Sequence, residues 1–178
     1  MRQKSLILFF ACFGITACLG PMDRQEPPEP IGDFALGYAV VVGPEMVKGP
    51  MSRDGDPEEI ITAVKNSLES HFAPLRGAQL YHVAVKVEGY VLAEAGIPLL
   101  VSPQSALLLS VTIWHDETGR KLNPVPHQLT VFEGPSGRTL MGSGLSQSPS
   151  RQLANLAKSS ALQIEEWMRS QHMSENWF

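Results

Sequence analysis

The residues best equipped for chemistry in this chain of 178 residues are few, and they stand far apart. His115, Asp116 and Glu117, together in "WHDETGRK", are all metal-ligand types. Neighbouring residues on a strand point to opposite faces, so His115 and Asp116 would diverge, and Asp-Glu-Thr-Gly is a common strand-ending turn. His82 falls on the polar side of an alternating run beside Lys86, and His71 lies near a helix end, so both read as surface or half-buried histidines. "GPSGRT" lacks the spacing and lysine of a phosphate-binding loop, and "MGSGLS" lacks the G-x-S-x-G of a nucleophile elbow. Gly142 and Gly144 are better read as marking a strand end or bulge. No catalytic residue, metal ligand or cofactor-binding residue is expected from these spacings. The two thiols, Cys12 and Cys18, are therefore the groups whose chemistry has to be placed.

Their surroundings answer the question. Arg2 and Lys4 form a positive start, and Leu6 to Ile15 form an apolar run of the length of a secretory h-region, about 7 to 15 residues, well short of the roughly 20 that span a bilayer. Ile15-Thr16-Ala17-Cys18 then resembles the bacterial lipobox. That resemblance implies a diacylglycerol thioether on Cys18, cleavage before it and acylation of its new amine. An ordinary secretory signal that ends near a cysteine is the alternative. On the lipobox reading Cys12 leaves with residues 1–17, and the mature chain keeps no cysteine for a disulfide or for thiol catalysis. The acyl chains at Cys18 are the only attached groups expected, and with two or three of them anchoring is stable. Leu19, in place of the aspartate that retains many such proteins at the inner membrane, implies the outer membrane, periplasmic face, with the inner membrane as the alternative.

Residues 18–32 form the lipidated N-terminus and linker, in which residues 20–31, "GPMDRQEPPEPI", are too rich in proline and charge to bury a face and read as a semi-rigid spacer. A formal net charge of -4 and the lack of a basic stripe interleaved with aromatics exclude nucleic acid as the expected partner.

Residues 33–170 read as one domain, 171–178 as a docked or flexible tail. "FALGYAVVV" alternates as a strand, with Phe34, Leu36, Tyr38, Val40 and Val42 to one side and Ala39 and Val41 to the other. In "DPEEIITAVKNSLESHF", Asp56 caps, Pro57 opens the helix, Glu59 holds the capping-box position, and Ile61, Val64, Leu68 and Phe72 form the apolar stripe. "YHVAVKVEGYVLAEAG" predicts a strand with Val83, Val85, Val87, Gly89 and Val91 on one face and His82, Lys86, Glu88 and Tyr90 on the other. "ALLLSVTIWH" predicts a second, "HQLTVFEGPSGRTLMGSG" a hairpin, and Ser148-Pro149 the start of a helix to about Arg169 with Leu153, Leu156, Ala157, Ser160, Ile164 and Trp167 inward. This order predicts an α+β two-layer sandwich, a mainly antiparallel sheet of about five strands covered by two amphipathic helices. The other sheet face, with Lys86, Glu88, Ser110 and Thr112, would meet solvent or a partner.

One connection is longer than most hairpin loops. "AEAGIPLLVSPQSA" carries Ile97, Leu99, Leu100 and Val101 together with two prolines, and reads either as cover for one end of the core or as an apolar lip touching a lipid or a partner protein.

The spacer, the Asp-Pro helix start, "LLLSVTIWHDETGRKL" and a last helix ending in "IEEWM" together resemble an uncharacterised family of proteobacterial lipoproteins. In layout the chain is also loosely similar to auxiliary lipoproteins of envelope lipid-transport and lipopolysaccharide-assembly systems. The resemblance implies a non-enzymatic accessory or binding subunit of a cell-envelope complex, held to the membrane by its lipid. A hydrolase-like periplasmic enzyme whose site is assembled only in the fold is the alternative, and a polar pocket joining His82 or His115 to a carboxylate would mark it.

Overall fold

The structure, a computed structural model, describes residues 29–93, 104–133 and 148–178. The elements in order are β1 (Phe34–Val42), β2 (Val47–Lys48), α1 (Pro57–Phe72), β3 (Gln79–Val91), β4 (Ala106–His115), β5 (Arg120–Lys121), β6 (His127–Phe132) and α2 (Pro149–Glu175). They form the α+β sandwich expected from their order: one open sheet with both helices on the same face.

The sheet is mixed. β1 runs parallel to β3, with α1 as the crossover between them, while β4 is antiparallel to β3 and to both β5 and β6. A parallel pair needs a long connection, and the helix supplies it. β2 continues the β1 edge of β3 beyond Val42, pairing with Gly89 and Tyr90. On the other side, β6 covers Ala106 to Val111 of β4 and β5 covers Trp114 and His115. Asn123 fills the space between them: its Oδ1 accepts from the Ile113 N–H at 2.9 Å and its Nδ2 donates to the Val111 carbonyl at 2.8 Å.

Both long strands depart from plain alternation. In β1 the register slips between Leu36 and Ala39, so Phe34 points inward, Ala39 and Val41 take over the core side, and Tyr38, Val40 and Val42 turn outward. In β3 a slip between Val87 and Gly89 sends Tyr90 into the core, where the sequence pattern had placed Gly89 and Val91, and leaves Val91 outside. A bulge adds one residue to one strand, and because side chains alternate with period two, every later residue changes face.

Helix α1 starts where its caps dictate. The Asp56 carboxylate accepts from the Glu58 N–H at 3.0 Å, Pro57 occupies the first turn, and two glutamates face the positive end of the helix dipole. Its buried stripe is Ile60, Val64, Leu68 and Phe72, one residue earlier at its start than the expected Ile61, which packs only at the flank. Helix α2 buries Leu153, Leu156, Ala157, Ser160, Ile164 and Met168; the Ser160 hydroxyl is satisfied by the Leu156 carbonyl at 2.9 Å. It runs on past Arg169 to Glu175 and stops at Asn176 in a left-handed cap. Trp167, expected inward, is half-buried, stacks on His127 and meets Trp177 edge-on.

Residues 176–178 fold back onto the domain rather than trailing from it. Phe178 lies edge-on to Phe34 at 5.3 Å and to Tyr81 at 4.9 Å, and Phe34 stacks on Tyr81 at 5.6 Å. This aromatic group closes one end of the core, while α1 covers β1 and α2 covers β4 and β6.

Candidate functional site

Cys18 lies outside the described residues, and so do Ile97, Leu99, Leu100 and Val101 and the second half of the expected 127–144 hairpin. What can be built from the residues upward is the outer face of the sheet, together with the histidines that chemistry would use first.

His82 is joined to a carboxylate, as the enzyme alternative requires. Its Nε2 lies 2.8 Å from Asp116 Oδ1, across the start of β3 and the turn after β4. Its Nδ1 accepts the Tyr38 N–H at 3.2 Å, so the neutral ring carries its proton on Nε2 and donates it to Asp116. A general base needs a free ring nitrogen within reach of a nucleophile. Here both are in use, and the ring serves as a plug in the β1 bulge. Gly37 makes room for it, because a Cβ there would lie 2.6 Å from His82 Nδ1.

His115 is engaged likewise: Nδ1 accepts the Thr118 N–H at 3.3 Å and Nε2 lies 2.9 Å from Gln79 Oε1. His115 and Asp116 thus diverge, and residues 116–119 form the turn that leads into β5, with Gly119 at a φ of 61°. Among the described residues, no group of three His, Cys, Asp or Glu side chains could hold a metal ion, and no helix is long and apolar enough to cross a membrane.

His71, on α1, lies 2.5 Å from Glu165 of α2, whose other oxygen receives Arg169 Nε at 2.9 Å. Burial pushes the Glu165 carboxyl up, but the hydrogen bonds from Arg169 and His71 outweigh it and hold the group below the usual glutamate range.

The outer face itself is a shallow groove of about 370 Å³ between β1 and the β5–β6 connection. Its floor carries a polar chain. Lys86 Nζ meets Glu88 Oε2 at 2.7 Å, Ser110 Oγ donates to Glu88 Oε1 at 2.7 Å, and Gln128 Nε2 donates to Ser110 Oγ at 2.6 Å. The Lys86 ammonium and then the Ser110 hydroxyl hold the Glu88 carboxyl low, and Glu88 in turn raises Lys86. Both stay charged near neutrality, which suits charge recognition and not proton transfer. Ser110 and Thr112 are only 7% and 8% exposed, set deep in the floor. Around them stands an apolar rim: Tyr38, Val40 and Val42 of β1 are 70%, 48% and 46% exposed, and Leu108 and Phe132 add to it beyond Gly89.

Of the polar floor, Lys86, Glu88, Ser110 and Thr112 were legible from strand alternation, and Gln128 was not. The β1 part of the rim was not, because the bulge reverses the parity of Tyr38, Val40 and Val42. A signal was present in the sequence: each bulge sits at a glycine inside an otherwise regular strand, Gly37 and Gly89.

No family model matches the chain, and no curated protein matches it. Solved structures that resemble it include a Xanthomonas campestris protein of the DUF330 family, at 12% identity over 86% of this chain and 94% of that one, with a TM-score of 0.46. A candidate lipoprotein of Caulobacter crescentus aligns at 14% identity over 75% of this chain and 91% of that one, with a TM-score of 0.35. A minor lipoprotein of Acinetobacter baumannii aligns at 17% identity over 71% and 92%, with a TM-score of 0.27. All three fall below a TM-score of 0.5, so no role is transferred from them.

Proposed function

We propose that the chain is a lipid-anchored accessory subunit of the bacterial envelope, held at Cys18 on the periplasmic face of the outer membrane, and that it binds a protein partner through the outer face of its sheet. The observation that carries this reading is the outer face itself. A charged, internally satisfied floor of Lys86, Glu88, Ser110 and Gln128 is framed by exposed Tyr38, Val40, Val42, Leu108 and Phe132, which is the apolar-and-polar pattern of a recognition surface. The histidine–carboxylate pair supports a binding role over a hydrolytic one, since the ring nitrogen a base would use is taken by the Tyr38 N–H.

The test is site-specific photocrosslinking in the native envelope. Probes at Val40 and Leu108 should each capture the same discrete protein, while a probe at exposed Lys158 on α2 should not. Capture from Lys158 alone, or from none of the three, would refute the outer face as the binding surface.

A further inference from the structure

The first described residues are held more firmly than a spacer needs to be. Arg169, near the end of α2, donates from Nη1 to the Pro30 carbonyl at 3.1 Å and from Nη2 to the Glu29 carbonyl. Its guanidinium is aimed by Glu165, at 2.6 Å from Nη2, and Glu165 is braced from α1 by His71. Ile31 is then buried, and Gly32, at a φ of 50°, passes so close under Phe178 and His172 that a Cβ would collide with both. Phe178 is kept in place by its N–H on His172 Nδ1 at 3.3 Å and by its ring against Phe34 and Tyr81. The proline-rich run therefore ends, mechanically, at Glu29.

All of these contacts lie at one pole of the domain. There β1 and β3 begin, β4 ends and α2 ends; at the opposite pole lie Ala93, Gln104, Glu133 and the α2 start at Ser148. The 27 residues of α2 separate the two by about 40 Å, at about 1.5 Å per residue. Asp33, beside the start of β1, and Asp116, just after β4, mark the clamped pole.

We infer that residues 29–32, Arg169 and Phe178 form a clamp that fixes where the tether leaves the domain, so that the pole of Asp33 and Asp116 faces the anchoring membrane and the pole of Ala93 and Ser148 faces away from it. This rests on the lipid anchor at Cys18. The clamp gives the tether a fixed exit point, so the groove on the sheet is presented side-on to the bilayer.

Two measurements test it. The first needs no membrane: amide hydrogen exchange in the folded mature chain should show the Phe34 amide, which donates to the Ile31 carbonyl at 3.1 Å, protected, with protection falling about tenfold or more in Arg169→Ala while the β3 core amides stay protected. Fast exchange at Phe34 in the unaltered chain overturns the clamp. A fall that reaches the β3 core marks Arg169→Ala as unfolding, and Phe178→Leu then serves as the second variant, with the same local loss expected and an unchanged Phe34 counting against the clamp.

The second measurement uses the lipidated protein in phosphatidylethanolamine–phosphatidylglycerol vesicles, with a fluorescent amino acid at Thr118 or at Ser148 and an acceptor in the headgroups. Transfer should be strong from Thr118 and weak from Ser148, and the contrast should shrink in Arg169→Ala. Equal transfer from both sites, or a contrast that Arg169→Ala leaves unchanged, overturns the orientation. If the protein carries no lipid and does not float with vesicles, the anchor reading fails, and the exchange measurement still decides the clamp.

Discussion

Asn123 does what a missing stretch of strand would do. β6 stops at Val111 and β5 starts at Trp114, and the Asn123 amide pairs both Ile113 N–H and Val111 C=O in the gap, with a third bond from Nδ2 to the Val125 carbonyl at 3.1 Å. Asn123→Leu keeps the volume and orphans two buried backbone groups, each worth about 1–3 kcal/mol, so urea denaturation should show a loss of about 2–5 kcal/mol. His127 is tuned differently. It stacks on Trp167 at 4.4 Å, and burial pushes its ring below the ordinary histidine range. A group whose folded pKa is depressed contributes stability above its unfolded pKa, about 6.5, and loses it as pH falls toward the folded value. Melting temperature should therefore drop as pH falls below about 6.5, and His127→Phe should flatten that slope while keeping the stack. A slope unchanged by the substitution would place the acid sensitivity elsewhere. Neither role was legible in the sequence: an asparagine after a turn and a histidine at a strand start look ordinary until the partner, 10 or 40 residues away, is in place.

At the scale of elements, the long strands and both helices were legible, and the faces of β1 and of the end of β3 were not. The starts of α1 and α2 announce themselves through Asp56-Pro57 and Ser148-Pro149, since capping is local chemistry. The outer and inner faces of β1 and β3 depend on bulges, which arise from packing against neighbours: Gly37 yields to the His82 ring, and Gly89 admits the Val47 carbonyl of β2. Gly37→Ala tests the first. Its Cβ cannot share space with His82 Nδ1, so the ring must leave Tyr38 and Asp116, at a cost of about 1–3 kcal/mol. NMR of the His82 ring should report the lost hydrogen bonds; an unaltered ring environment would mean the bulge accommodates the methyl by shifting backbone. The α2 end was misjudged for a related reason. His172 and Ser174 are poor stop signals, and the helix persists because its last turn carries the contacts that hold Phe178.

For the whole molecule, the sandwich followed from the order of elements, because two amphipathic helices and a run of strands have few other ways to bury their apolar sides. The candidate site was half legible: its polar floor came from alternation, its apolar rim from tertiary packing. Membrane attachment belongs to this scale too. Cys18→Ser should give a chain that is no longer labelled by radioactive palmitate and that moves from the membrane pellet to the soluble fraction, with an unchanged melting temperature. A membrane-bound, acylated Cys18→Ser protein would rule out the lipobox.

The placement of α2 at the far end of the sequence has a consequence for how the protein is made. Leu109, Val111 and Val131 present apolar side chains on the face that Leu156, Ile164 and Met168 cover, and those partners follow about 25 to 60 residues later. The ribosome releases them after the strands, so the emerging chain holds the β4 and β6 side of the sheet uncovered until α2 has followed, and the domain gains its final shape only then.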